Sequence, residues 1–213
     1  MISNKIQNGI VGTINIPPDK SISHRSIIIP SLSMGICEIN NLLMSDDVMH
    51  TLNAFKTLGV NIEKSNDKII IYGEGLNSLK KPNKNIYLGN SGTSARLLTG
   101  LLASQTFETI LEGDQSLSSR PMARVMDPLK LMGAKFENIS GTLPLKIIGK
   151  KLNKSKIEIE IPSAQIKSGL ILIFLRLIFE PLLISAAIIK KALLDKSEGT
   201  LIFFGFSSCF PFM

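Results

Sequence analysis

The 213-residue sequence is poor in the residue types on which several classes of function depend. It has no tryptophan, aromatic residues make up 6% of it, and it has two cysteines. Few aromatic side chains mean few platforms on which nucleic-acid bases could stack. Cys37 and Cys209 lie far apart and form neither a zinc-binding nor a redox pattern, so we expect two reduced thiols in a cytosolic protein.

Histidine is equally scarce, which limits the catalytic and metal sites that the sequence can build. Neither His24 nor His50 has an acidic residue at a spacing that would orient its imidazole, so no Ser-His-Asp site is predicted. The sequence contains no cluster of histidine and cysteine, so no metal site is predicted. We expect both histidines at the surface or at a helix end. The first residues do not combine a basic start with an apolar run, so we expect no signal peptide.

Positive charge is what the sequence has in excess. The formal net charge is +7 and the isoelectric point is near 9.4, a balance that favours phosphorylated metabolites, nucleic acid or an acidic membrane surface as partners. Most lysines are scattered, as on a solvated surface. A nucleic-acid-binding module would need a basic stripe with aromatic residues, and the sequence shows none. We therefore expect no nucleic-acid partner.

One long apolar run, residues 169–189, reads GLILIFLRLIFEPLLISAAII and is long enough to span a bilayer. Arg176 and Glu180 lie near its middle, where a charge costs about 2.5–3.5 kcal/mol of insertion free energy. Pro181 would kink a helix there. We therefore expect no membrane association, and a membrane-associated fragment remains an alternative.

The sequence up to about residue 168 repeats loosely, with units opening at Ser21, Ser91 and Ser163, roughly 70 residues apart. Each unit reads β-α-β-α-β-β, which predicts the α/β class; an accidental likeness of α/β segments stays open as the alternative. Periodicity predicts helices that begin at Ser21, Asp46 and Thr93. A further helix should be capped by Ser119, with Pro121 in its first turn. Strands are predicted at residues 37–39, 60–63, 68–72, 109–111, 134–137, 143–148 and 157–161.

The three openings suit an anionic ligand. Each is a short polar segment at a helix N-terminus, where free N–H groups and the helix dipole favour an anion. Taken singly, Lys20 and Arg25 read as solvated charges, and Ser21 and Ser163 as helix caps. Residues 89–94, GNSGTS, are similar to a phosphate-cradling loop but lack the Gly-Lys-Ser/Thr ending. Arg120 at a helix start is explained either by an anion or by a local carboxylate.

Four motifs in order resemble the 5-enolpyruvylshikimate-3-phosphate (EPSP) synthase family. They are DKSISHR at residues 19–25, LGNSGTSAR at 88–96, SRPM at 119–122 and PSAQIKS at 162–168. The resemblance covers residues 9 to about 173. It implies transfer of the enolpyruvyl group of phosphoenolpyruvate to the 5-hydroxyl of shikimate 3-phosphate, with release of phosphate. It also implies a cytoplasmic monomer that needs no metal or organic cofactor.

The fold that the resemblance implies is an inside-out α/β barrel of two domains, each built from three β-α-β-α-β-β units. Residues 1–18 would be a strand segment belonging to the other domain. Residues 19–172 would be the repeat domain with its third unit incomplete, and most of the second domain would be missing.

The resemblance also implies site residues, position by position. Lys20 would be catalytic and would contact both substrates. The shikimate 3-phosphate site would consist of Lys20, Ser21, Arg25, Ser163, Ala164 and Gln165. The phosphoenolpyruvate site would consist of Lys20, Asn90, Gly92, Arg120 and Gln165. Glycine at position 92 implies glyphosate sensitivity in a complete enzyme.

Two alternatives remain beside this assignment. The related enzyme that transfers enolpyruvyl to UDP-N-acetylglucosamine usually carries a cysteine on a mobile loop, and residues 117–121, LSSRP, have none. The other is a non-catalytic anion-binding fragment, because the family's second domain supplies an Asp and a Glu for proton transfer. Residues 173–213 contain no family motif.

We predict that residues 173–213 are out-of-frame translation after a frameshift near Ile173. Sequencing the coding DNA tests this. Another reading frame downstream should encode a motif similar to Thr-Arg-Asp-His-Thr, which the family carries after this point, and the absence of such a frame contradicts the frameshift.

Overall fold

The fold was analysed in a computed structural model, which describes residues 16–65, 68–137, 140–153, 155, 157 and 163–178, with side chains up to residue 172. In chain order its elements are α1 Lys20–Ser31, β1 Met34–Asn40, α2 Asp46–Thr57, β2 Asn61–Ser65, β3 Lys68–Glu74, β4 Ile86–Tyr87, α3 Gly92–Ala103, β5 Glu108–Glu112, α4 Gln115–Ser118, α5 Ala123–Leu131, β6 Lys135–Glu137, β7 Leu145–Ile148 and α6 Ala164–Ile178.

The predicted repeat is visible in the strand order of two sheets. The first sheet has the order β1-β3-β2, and the second has the order β4-β5-β7-β6. In both units the long strand after the first helix pairs antiparallel with the last strand of the unit, and β4 adds a parallel neighbour to β5. The β-α-β-α-β-β order is thus confirmed for the second unit. The strand before α1 and nearly all of the predicted strand 157–161 lie outside the described residues.

Local sequence signals explain where the helices begin and end. Asp19 caps α1, because its carboxylate accepts a hydrogen bond from the backbone N–H of Ile22 at 2.7 Å. Ser91 caps α3 in the same way. Gly59 and Gly133 follow α2 and α5 with φ of +92° and +90°, a conformation that glycine adopts without strain. Both helices therefore end at a glycine.

The predicted start of α5 is wrong. Ser119 is the C-terminal cap of the short helix α4, and α5 begins only at Ala123, beyond Pro121. Asp114 begins α4, because its carboxylate accepts a hydrogen bond from the N–H of Leu117 at 2.7 Å. The residue before a proline avoids the helical conformation, so Arg120 interrupts the helix between the two segments.

Each sheet buries one face against the helices. In β3, Ile69, Ile71 and Gly73 point inward while the residues between them are more exposed, the alternation expected of a half-buried strand. A Cβ at Gly73 would collide with the carbonyl oxygens of Pro30 and Ser33, so glycine allows the end of α1 to lie directly on β3. The core is mostly aliphatic, and its largest fully buried side chains are Phe55, Ile27, Ile28, Leu32, Leu58, Ile71, Ile86, Leu88, Leu98, Leu101, Leu102 and Leu111.

Helices α3 and α6 pack closely at a pair of glycines. A Cβ at Gly100 would lie 2.6 Å from the carbonyl oxygen of Gly169, whereas a Cβ at Gly169 would lie 3.2 Å from the carbonyl oxygen of Arg96. This approach carries the start of α6 to the start of α3. Among the described residues, no helix combines the length and hydropathy needed to cross a membrane.

Replacing these two glycines separates steric fit from helix propensity. Either change to alanine gains about 1 kcal/mol of intrinsic helix stability. Gly100→Ala must also move backbone, which costs about 1–3 kcal/mol, so we expect a net loss of stability. Gly169→Ala should be near neutral, because its closest neighbour leaves more room. Urea unfolding of both variants measures the difference. Equal stabilities would contradict the close contact at Gly100.

Candidate anion-binding site

Two arginines converge on the N-terminus of α3. Arg96 donates a hydrogen bond from Nη1 to the carbonyl oxygen of Gly92 at 3.3 Å and another to Oε1 of Gln165 at 2.8 Å. Arg120 donates to the side-chain oxygen of Asn90 and, at 3.2 Å, to Oγ of Ser116. A Cβ at Gly92 would lie 2.9 Å from Nη1 of Arg96 and 3.1 Å from Nη1 of Arg120. Glycine therefore leaves open the point at which both guanidinium groups meet.

No carboxylate of the described residues neutralises the positive charge at this point. Every ion pair recorded in the described part of the chain involves a lysine, and none involves Arg25, Arg96, Arg120 or Arg124. Burial lowers the pKa of Arg96, and the charges of Arg120 and Arg124 lower that pKa further. Of the two explanations for Arg120, a local carboxylate is absent among these residues. Like charges held together without counter-ions favour a bound anion.

The start of α6 joins this site through Gln165. While its Oε1 accepts from Arg96, its Nε2 donates to Oγ1 of Thr93 at 2.9 Å, so one amide spans α3 and α6. Ser163 begins α6, because its hydroxyl accepts from the N–H of Ile166 at 3.4 Å. Ala164 is exposed as the first helical residue. The second and third openings of the repeat therefore lie side by side.

The start of α1 contributes a third group of polar residues. Lys20, 52% exposed, forms an ion pair with Asp47, 20% exposed, at the beginning of α2. Ser21 and Arg25 are exposed on α1. Within the described residues no hydrogen bond links Ser21 or Arg25 to residues 163–165. The residues assigned to shikimate 3-phosphate thus lie on two separate helices, α1 and α6.

A buried chain of hydrogen bonds connects α1, α2 and α3 beneath these groups. Nδ1 of His24 lies 2.7 Å from Oγ1 of Thr51, which lies 2.5 Å from Oγ of Ser94. The Ser94 hydroxyl lies 2.6 Å from Oγ of Ser91, and the Ser94 N–H donates to that same atom at 3.3 Å. The first opening is therefore tied to the N-cap of the second by side chains that are all buried.

The expected surface location of His24 is wrong: the residue is 0% exposed. The reason is the polar environment that Thr51 offers inside the core. Burial lowers the pKa of His24 to about 4, and the cations of Lys20 and Arg25 lower it while Asp47 raises it. The imidazole is therefore neutral near pH 7. His50 lies within α2 rather than at a helix end, half-buried, and its ring meets that of Tyr87 edge-on with centroids 5.4 Å apart.

Sequence reasoning missed several residues of this site. Arg96 and Arg124 are not among the predicted ligands, although Arg96 follows Gly92 by one helical turn and so had a signal in the spacing. Asp47 lies in the first turn of α2, where a carboxylate favours the helix dipole, and it also holds Lys20, which the local sequence does not reveal. The roles of Thr51 and Ser94 depend on contacts between residues 43 positions apart, which no local pattern reveals.

A model of the family described as EPSP synthase (3-phosphoshikimate 1-carboxyvinyltransferase) matches residues 4–192. The match extends past residue 173, where the resemblance in the sequence had been expected to end. About four-fifths of the chain is also similar to part of the enzymes of that name. The 3-phosphoshikimate 1-carboxyvinyltransferase of Ruthia magnifica is 50% identical over 169 residues, which are 79% of this chain. That of Caldicellulosiruptor bescii is 51% identical over 170 residues, 78% of this chain.

Solved structures agree with the sequence comparisons. The EPSP synthase of Acinetobacter baumannii superposes with a TM-score of 0.73 and 42% identity over 76% of this chain and 37% of that one. The chain spans about 39% of the length of the Ruthia magnifica enzyme and 38% of the Caldicellulosiruptor bescii enzyme. The α/β fold with β-α-β-α-β-β units is accordingly that of EPSP synthase. This chain belongs to the EPSP synthase family.

Proposed function

We propose that this chain binds phosphoenolpyruvate and shikimate 3-phosphate at the starts of its helices and forms half of the site for enolpyruvyl transfer. The observation that carries the proposal is the convergence of Arg96 and Arg120 on Gly92 with no carboxylate partner in the described part of the chain. Two phosphates and a carboxylate repel one another in the reacting complex. Guanidinium groups and helix N-termini offset that repulsion at fixed positions.

The proposed ligands follow the motifs of the sequence. For phosphoenolpyruvate they are Lys20, Asn90, Gly92, Arg120 and Gln165, and for shikimate 3-phosphate they are Lys20, Ser21, Arg25, Ser163, Ala164 and Gln165. The hydrogen bonds of Arg120 to Asn90 and of Gln165 to Thr93 support the first set, because they fix these side chains at the N-terminus of α3. Arg96 supports it further by orienting Gln165 at 2.8 Å.

In the proposed reaction, the 5-hydroxyl of shikimate 3-phosphate gives up its proton to a carboxylate of the second domain as its oxygen bonds to C2 of phosphoenolpyruvate, and C3 takes up a proton from a carboxylic acid there. The resulting tetrahedral intermediate then loses phosphate from C2 and a proton from C3, which leaves the enol ether. Lys20 would act as the catalytic cation, because its mobile ammonium can reach charge on both substrates. Asp47 would hold that ammonium at the edge of the site until an anion arrives.

We further propose the domain organisation and setting that the motifs imply. Residues 1–18 would belong with the other domain, 19–172 would form the repeat domain, and 173–213 would be the aberrant tail. The chain would be a cytoplasmic monomer. Because it spans about two-fifths of its relatives, a non-catalytic anion-binding role is the second candidate. A turnover assay with the partner half of the site distinguishes a role in enolpyruvyl transfer from a non-catalytic anion-binding role.

Binding of phosphoenolpyruvate should depend on Arg120. Arg120→Ala should weaken it by about ten- to a hundredfold, because a hydrogen bond to a charged group contributes about 1.5–3 kcal/mol. Arg120→Lys should recover part of the affinity, since it keeps the charge and loses the planar fork. Titration calorimetry of the full chain measures both. Lys130→Ala is the control, because Lys130 pairs with Asp127 on α5 and has the same charge. Equal effects at both positions would contradict a specific site.

The chain alone should not turn over. We expect no steady-state release of phosphate from phosphoenolpyruvate and shikimate 3-phosphate, because the Asp and Glu that would move protons belong to a second domain. A phosphate-release assay, with a complete family enzyme as the positive control, measures this. Sustained release by this chain would overturn the half-site proposal.

A further inference from the structure

The buried series of hydrogen bonds from His24 to Ser91 runs in one donor-to-acceptor direction, which the surrounding groups determine. Two tautomers of a neutral imidazole are possible, with the proton on Nδ1 or on Nε2. Nε2 is buried and has no hydrogen-bond partner among the residues that the structure describes. A proton on Nε2 would leave a buried N–H donor unpaired, which native proteins rarely tolerate. The proton therefore belongs on Nδ1, where Oγ1 of Thr51 accepts it at 2.7 Å.

The proton on Nδ1 determines to which neighbour each of the following hydroxyl groups donates its hydrogen bond. Thr51 accepts from His24, so its own hydrogen is directed to Ser94 at 2.5 Å rather than to the more distant carbonyl oxygen of Asp47 at 3.3 Å. Ser94 in turn donates to Ser91 at 2.6 Å. Ser91 then accepts hydrogen bonds from both the hydroxyl and the N–H of Ser94. Its own hydroxyl hydrogen stays available for an acceptor that is not part of this hydrogen-bond series. That acceptor would lie at the N-terminus of α3.

We propose that His24 is a positioning residue for the anion site, acting through Thr51 and Ser94 to fix Ser91 as the N-cap of α3 and to keep its hydroxyl a donor. This inference rests on the proposed function, because the anion site is the one at Asn90 and Gly92. If the hydrogen bonds ran in the opposite donor direction, Ser91 would donate its hydrogen to Ser94 and could not donate to a ligand. His24 touches no substrate in this role.

The charged groups around His24 keep its ring neutral. Lys20 and Arg25 belong to its own helix, and Asp47 faces it from α2, while α3 contributes only the neutral hydroxyls of Ser91 and Ser94 to the chain. A proton on both ring nitrogens would place a third cation beside Lys20 and Arg25 and leave Nε2–H unpaired. Anion binding should therefore be supported by His24 without any contribution of charge from its ring.

Sulfate is a suitable probe, because it stays doubly charged between about pH 5 and 8, the range in which an ordinary histidine titrates. We expect wild-type chain and His24→Asn to bind sulfate alike at every pH in this range, since the asparagine amide can donate from the place of Nδ1 and cannot be protonated. Heteronuclear NMR of the wild-type ring should show the Nδ1–H tautomer throughout.

Interrupting the series of hydrogen bonds should weaken sulfate binding without changing the charge of the protein. His24→Leu and Thr51→Val should each lower sulfate affinity about tenfold, the effect of one lost hydrogen bond. Thr99→Val is the matched control, because Thr99 is equally buried on α3 and its hydroxyl, among the described residues, bonds only the carbonyl oxygen of Ala95, at 2.7 Å. It should bind as the wild type does. If His24→Leu does not fold, Thr51→Val against Thr99→Val still gives the answer.

Three results would count against the proposal, and they are distinguishable. Sulfate binding that strengthens as the pH falls through about 6.5 in the wild type but not in His24→Asn would make His24 a cationic ligand instead. Unchanged affinity in folded Thr51→Val would remove the positioning role while leaving the anion site intact. No sulfate binding by the wild type would refute the proposed function itself, together with the inference that rests on it.

Discussion

Repulsion between two guanidinium groups is the constraint around which this part of the molecule is arranged. Arg96 and Arg120 both reach Gly92, and no carboxylate in the described region offsets their charge. Their positions therefore depend on neutral acceptors, the side-chain oxygens of Gln165 and Asn90. Those acceptors in turn depend on the packing that brings α3, α5 and α6 together. A bound anion would offset the charge that these neutral acceptors leave in place.

Packing and polarity cooperate to hold this arrangement. Glycine at positions 100 and 169 lets α6 approach α3 closely enough for Gln165 to span both helices. On the opposite side, His24 and Thr51 connect α1 and α2 to the cap of α3. Both connections pass through fully or partly buried polar groups, which lose more free energy when unpaired than exposed ones do. The helix starts are therefore fixed from two sides.

Much of this could be predicted from the sequence, and the failures have physical causes. Periodicity located α2 and α3, and the strand patterns located every described strand except β4, because those signals are local. The start of α5 was misplaced, since Asp114 and Ser119 are both good caps and only the fold decides which one begins a helix. His24 was expected at the surface, because the sequence does not reveal that Thr51 on α2 supplies a buried hydrogen-bond partner for its ring. Local spacing cannot show that Gln165 meets Arg96, 69 positions away.

The glycine contact between α3 and α6 has a consequence for how the protein opens. Among the described residues, the strands of the first two units pair within their own unit, so those units hold together through their own sheets as well as through helices. In the described residues α6 packs mainly on α3, with a smaller contact to α5. Segments that depend on one neighbour open at lower free energy than sheet-anchored ones. A loosening of the glycine contact would therefore move Ser163 and Gln165 away from Arg96 and Thr93 together, while the hydrogen bond of Arg120 to Asn90 does not depend on α6.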